Sequence, residues 1–387
     1  MFRSIALKTM FLFWFSLQIN ANAGNNTCGA GITVINPFHI DIDPMEGLLL
    51  INIENDPDSV YIGFEPQVFD DPINGNGMLV IAWRVDGYVD VYHQPGLKPD
   101  PSKYDIVGKG LAAMVERPLH GAYFRVEENG VQSLFSFVDI YNREIEVRIH
   151  EQSTRRRKPF GLLAPMGHAA ENPSAMPMIF LHDFYFVRRK DTQIEVLING
   201  HHHASDKLPM PMDRQRMYFA RYSPDPLIAT LNPAHNGPLN ELQASGELTF
   251  KRTGNNFNLK NHNGRYYIES ITAHYNEHQL DMVFSPGFPN IAQVMPGDSF
   301  KGNFVIEGDR STGKIKGTYS LVEEDGEIRI HLTPCGGWKP RVSKFSLRFM
   351  YTVSGMFKNW PKTYHWYATI QKADGGQFVM ESAWERK

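Results

Sequence analysis

The chain has 387 residues, 42% of them hydrophobic and 12% aromatic, with 39 Lys and Arg against 42 Asp and Glu and a formal net charge of −3. That balance argues against a nucleic-acid binder, which would normally be basic. Two cysteines are too few for a disulfide-dense scaffold or a cysteine-built metal module. The 25 prolines and 32 glycines suit a turn-rich β protein.

The first 23 residues carry Arg3 and Lys8 without an acid, then the apolar run 10–19, then Ala21-Asn-Ala23. A charged start, a short apolar core and a small-x-small site are the signature of a secretory signal peptide. Roughly ten apolar residues are too few to cross a bilayer, which takes about twenty. The expectation is a secreted or periplasmic protein, cleaved after Ala23, with no integral membrane segment in the mature chain. Export removes two cations and no anion, leaving −5. In an oxidising compartment Cys28 and Cys335 are candidates for a disulfide across most of the chain.

Beyond residue 24, alternation with period two dominates. Ile145, Val147 and Ile149 alternate with charged residues, and Ile194, Val196 and Ile198 form another strand face. Turn chemistry recurs at Asn129-Gly130, Asn199-Gly200 and Asn263-Gly264. Helix is expected only in connectors, at 102–116 and 238–244. Residues 24–222 read as an N-terminal β domain containing one long irregular loop, 155–177, which is a candidate lid. Pro224, Pro226, Pro233 and Pro238 mark 223–244 as a linker. Residues 245–387 then supply eight or nine short strands, including Ile315–Leu321, Ile328–Leu332, Phe345–Tyr351 and Tyr364–Ile370. That number suits a closed barrel, which removes free strand edges.

The predicted fold class is all-β, with two antiparallel barrel-like domains of lipocalin or calycin type packed side by side; one large β-sandwich is the alternative. In strand count and meander order the chain resembles tandem lipocalin-like barrels. The Gly-x-Trp of true lipocalins is missing near the first strand, and no family follows from the resemblance.

Chemistry concentrates in 151–225, where eleven cations face eight anions. Arg155–Lys158 and Arg188–Lys190 read as solvated turns at strand ends. Arg216 and Arg221 differ because they flank an aromatic strand with Met217, Tyr218 and Tyr222; an arginine sharing a face with Met217 either reaches water or is held by a carboxylate or ligand. In 179–187, alternation puts Phe180, His182, Phe184 and Phe186 in one row. An imidazole in an aromatic row is a candidate general acid/base or a hydrogen-bond anchor for a ligand. Asp183 points to the other face, so it cannot form a dyad with His182 within the strand. His201-His-His203 read as exposed turn residues. No nucleophile elbow, phosphate-binding glycine loop or helix-borne metal motif is present, so no metal or other cofactor is expected.

These features favour binding of an apolar or amphipathic small molecule with an anionic end. His182 would anchor it, Arg216 and Arg221 would meet its charge, and Tyr218, Tyr222, Phe180, Phe184, Phe186 and Met217 would line the pocket. The alternatives are a hydratase, cyclase or isomerase of a lipid-like substrate with His182 as acid/base, and a carbohydrate-binding or carbohydrate-processing protein with Trp83, Trp338, Trp360 and Trp366 as sugar platforms.

Overall fold

The computed structural model describes residues 32–387 except 168, 171–172, 245–248, 253, 310 and 336–343. The leader expected at 1–23, Cys28 and Trp338 lie outside the described residues, so the Cys28–Cys335 pairing does too; Cys335 itself is exposed. The chain is all-β, with curled sheets that include a half-barrel. Among the described residues, the helical pieces are two 3-10 turns and the short helices Phe345–Val353 and Gly355–Asn359.

The N-terminal part builds two sheets. The larger runs in the order Ile40–Asp43, Asp225–Leu231, Met176–Arg188, Met217–Ser223, Gly47–Asn52, Tyr61–Asp71, Gly75–Arg84, Val89–His93 and Leu111–Glu116, with Phe160–Ala164 paired to Met176–Arg188 off that path. The smaller has five strands, from His120–Glu127 through Gly130–Val138, Glu144–Glu151 and Thr192–Ile198 to His201–His202. One face of the larger sheet packs on the smaller: Phe64 lies 6.4 Å from Phe135 and Tyr92 lies 4.5 Å from Phe137, ring centre to ring centre.

The C-terminal part is a nine-stranded antiparallel meander from Thr249–Arg252 to Phe378–Arg386, extended past the latter to a ten-stranded sheet by His235–Pro238. Its two outermost strands, His235–Pro238 and Thr249–Arg252, do not pair with each other, so the sheet is an open curl rather than the closed barrel expected from the strand count. The hairpin turns follow their local chemistry. Asn199-Gly200, Asn263-Gly264 and Asp325-Gly326 all place both residues at positive φ, the requirement of the tight turn that matches strand twist.

Further expectations differ from the structure for physical reasons, among them the helix at 238–244, where Glu241–Ala244 is strand. Residues 345–351 form helix, not strand: positions four apart coincide in both periods, so buried Leu347 and Tyr351 satisfy either. The helix leaves Phe345, Phe349 and Val353 exposed on another stripe. Residues 102–116 make a 3-10 turn, Pro101–Tyr104, and the strand Leu111–Glu116, which pairs in parallel with Val89–His93. The proline-dense 223–244 is not a free linker. It supplies Asp225–Leu231 to the N-terminal sheet, His235–Pro238 to the C-terminal sheet, and Glu241–Ala244, which pairs with Ile32–Ile35.

The two parts are joined by more than the crossing. Phe38 inserts among Phe284, Phe288 and Trp366, with ring centres 5.1, 4.6 and 5.8 Å away. Asn290 accepts from the Ile35 N–H at 2.9 Å and donates to the Thr33 carbonyl at 2.8 Å. The Trp384 indole donates to the carbonyls of Leu231 and Asn232. The loop expected at 155–177 contains the strand Phe160–Ala164, and its next stretch is held by the C-terminal part. Trp360 donates to the Met166 carbonyl, Tyr364 to that of Gly167 and Arg386 to that of Ala170.

Candidate functional site

The second face of the larger N-terminal sheet carries a row of side chains across five strands. Phe186 pairs with Arg221 and Arg221 with Leu50; the register Leu48↔Gln67 and Ile51↔Phe64 puts Leu50 opposite Glu65, which pairs with Ile81. The face toward the smaller sheet is dry, with Leu49, Phe64, Val80 and Tyr222 fully buried. On the second face Leu50, Trp83, Phe219 and Arg221 keep part of their surface open. One sheet thus presents a sealed core on one side and a partly open, mixed apolar and polar surface on the other.

Arg221 is the most unusual group there. Its guanidinium lies over the Phe219 ring, 4.4 Å from the centre, and donates to Asn52 Oδ1 at 2.6 Å and the Phe219 carbonyl at 3.2 Å. Among the described residues no carboxylate comes within ion-pair distance of it. Loss of hydration pushes its pKa down to about 10, against the opposing pull of Glu65 and Glu54. Glu65 is itself buried and accepts from Gln67 at 2.9 Å and Trp83 at 3.3 Å. Burial raises its pKa despite those bonds and the nearby Arg221, favouring the neutral carboxyl.

The aromatic row expected around His182 is divided. Asp183 has a φ of 48°, and the pairing with Phe160–Ala164 shifts register there, as an extra residue in one strand requires. Phe184 and Phe186 pack with Phe160 and Phe219. Phe180 and His182 instead meet the C-terminal part: a Cβ on Gly308 would lie 3.2 Å from the Phe180 ring, and His182 stacks on His278. Asp183 makes no dyad with His182; it binds Arg157 at 3.0 Å.

The His182–His278 stack is close and parallel, with centres 3.8 Å apart and planes inclined by 6°. His182 Nδ1 lies 3.2 Å from the Asp225 carbonyl, and His278 Nε2 lies 2.7 Å from Asp225 Oδ1. Burial, then the neighbouring His278, pushes the His182 imidazole below its usual pKa. Neither His278 nor Asp225 stands out in the sequence. They lie 53 residues apart, and only the contact between the two sheet systems brings them together.

Other expected site residues fall elsewhere. Arg216 is exposed. Met217 is buried opposite Arg188, and Tyr222 is buried beneath the Arg157 guanidinium. Tyr218 lies half-buried under Arg189. Arg188 is no solvated turn residue: it is fully buried and paired with Glu151. Trp360 and Trp366 are buried, and Trp83 is occupied with Glu65, so none of the three is a free sugar platform. A polar groove of about 310 Å³ on the C-terminal sheet, lined by Asn256, Asn258, Thr272 and His274 among others, has much of its bonding capacity met internally. Asn256 lies 3.2 Å from His274 Nε2, and Thr272 donates to Asp281.

Among the described residues, no helix is long and apolar enough to cross a membrane. The chain matches no protein-family model, no curated protein and no solved structure.

Proposed function

We propose that the partly open face of the N-terminal sheet binds a small molecule with an apolar body and an anionic end, and that Arg221 takes the charge. The observation that carries this reading is a partly buried guanidinium, set on an aromatic ring, and supplied with an amide and a carbonyl but no carboxylate. A cation so placed has bidentate capacity left over for a carboxylate or phosphate. Burial raises the Glu65 pKa, which lessens the opposition of that carboxyl to an anionic ligand. Phe186, Phe219, Leu50 and Trp83 supply apolar contact around the charge. His182 belongs to a different cluster, so its role as the anchor of this ligand gains no support from its surroundings.

The test is a titration of the full chain with a long-chain carboxylate and with the alcohol of the same length. The carboxylate should bind one per chain, about tenfold or more tighter than the alcohol. Arg221→Gln should erase that preference while leaving the melting temperature close to that of the parent. Equal affinity for the two ligands, or binding of neither, overturns the reading. A chemically altered ligand recovered after incubation would favour the hydratase, cyclase or isomerase alternative.

A further inference from the structure

A second site lies at the seam between the two sheet systems, and it is independent of the Arg221 face. We propose that His182, His278 and Asp225 hold a divalent transition-metal ion. His182 comes from the strand Met176–Arg188, Asp225 opens Asp225–Leu231, and His278 opens His278–Pro289 of the opposite sheet. One ligand atom from each lies within 4.8 Å of the other two.

The tautomer of His182 follows from its neighbours. Its Nδ1 faces the Asp225 carbonyl, which can only accept, so Nδ1 carries the proton. Nε2 is then a bare lone pair. It is buried in a residue only 7% exposed, and it has no hydrogen-bond partner. A buried polar atom without a partner is costly and calls for an explanation. A backbone carbonyl that fixes Nδ1–H and leaves Nε2 free is also the usual support of a metal-bound histidine.

The donor set names the class of ion. Two imidazole nitrogens and one carboxylate suit Zn²⁺ and its first-row neighbours, and are poor for Ca²⁺ or Mg²⁺, which want oxygen. Bonds of about 2.0–2.1 Å bring ligand atoms within about 3.4 Å of one another. The rings are stacked in parallel here, so binding would swing the partly exposed His278 ring out of the stack to aim its nitrogen at an ion shared with His182. His278 presents a lone pair once its proton moves from Nε2 to Nδ1. Asp309 lies close enough to act electrostatically on both imidazoles. With Asp225 it supplies two negative charges against a divalent ion. The metal would clamp the N-terminal sheet to the C-terminal one.

The experiment is calorimetric titration of chelator-treated full-length chain with Zn²⁺, with Ca²⁺ and Mg²⁺ as controls, alongside visible spectra with Co²⁺. The expected result is one Zn²⁺ per chain, a raised melting temperature, and a Co²⁺ spectrum with imidazole ligation. Affinity should fall about 100-fold in His182→Gln or His278→Gln and about tenfold or more in Asp225→Asn. The pair His201→Gln/His203→Gln should bind as the parent does. No stoichiometric Zn²⁺, or binding lost in the His201/His203 pair and kept in His278→Gln, overturns the proposal. Should His182→Gln fail to fold, the parent's Co²⁺ spectrum and His278→Gln, at a partly exposed position, still decide.

Discussion

Arg188 and Glu151 form an ion pair with no exposed side-chain surface on either partner, Nε to Oε1 at 2.5 Å, between the two N-terminal sheets. Both groups have further partners. Glu151 also accepts from the backbone N–H of Val131 and of Arg188, and the Arg188 guanidinium donates to the carbonyls of Asn129 and Arg155. Removing one partner leaves a buried charge without its complement, which costs about 3–5 kcal/mol. Arg188→Met and Glu151→Leu should each lower unfolding free energy by that amount in urea, and the double variant should lose much less than their sum. Additive losses would show that the two charges do not act as a unit.

Asn52 holds the Arg221 guanidinium through a 2.6 Å bond from Nη1 to Oδ1. Asn52→Ala should free the guanidinium to choose among orientations. Affinity for a long-chain carboxylate should drop about five- to tenfold, with little change for the matching alcohol. An equal drop for both ligands would mean that Asn52 shapes the face rather than the charge reader.

Glu65 has its pKa raised by burial. A carboxyl whose folded pKa exceeds its unfolded value binds protons more readily in the native state. Its contribution is therefore present below the unfolded value, near 4.5, and is lost as pH rises through the folded one. Melting temperature followed upward from pH 4 should show this decline in the parent, and Glu65→Gln should flatten it. A parallel decline in the variant would assign the slope to other groups.

Asn290 bonds both Ile35 and Thr33 of the N-terminal strand and caps the turn at Ala292. It is 1% exposed. Asn290→Ala should cost about 2–3 kcal/mol, from two or three lost bonds at about 1 kcal/mol each. Limited proteolysis should then cut near residues 32–38 before any other site. Unchanged protection there would place the hold on Phe38 and its aromatic neighbours alone.

Much of the sheet system was legible because burial on one face imprints alternation. Val147 and Ile149, Ile315 through Leu321, and Trp366 through Ile370 all point inward as their spacing implies. Local alternation fails where two periods share positions, as at Leu347 and Tyr351, and where one residue is added, as at Asp183. Arg221 could be singled out from its strand. Its lack of a carboxylate could not, since that depends on Asn52 and Glu65, more than 150 residues earlier. The seam cluster needed His278, whose neighbours in sequence carry no trace of His182.

The insertion of Phe38 into the C-terminal core sets an order on biosynthesis. Ile32–Ile35 has no partner until Glu241–Ala244 has been made, and the His235–Pro238 strand waits for Phe378–Arg386. Contacts this distant in sequence are slow to form, because the chain between them must first be drawn together. A ribosome adding 5–20 residues each second would leave the first strand waiting on the order of ten seconds or more. Through that interval its apolar edge is open to other nascent chains, so the protein's yield depends on what shields that strand until its partner emerges.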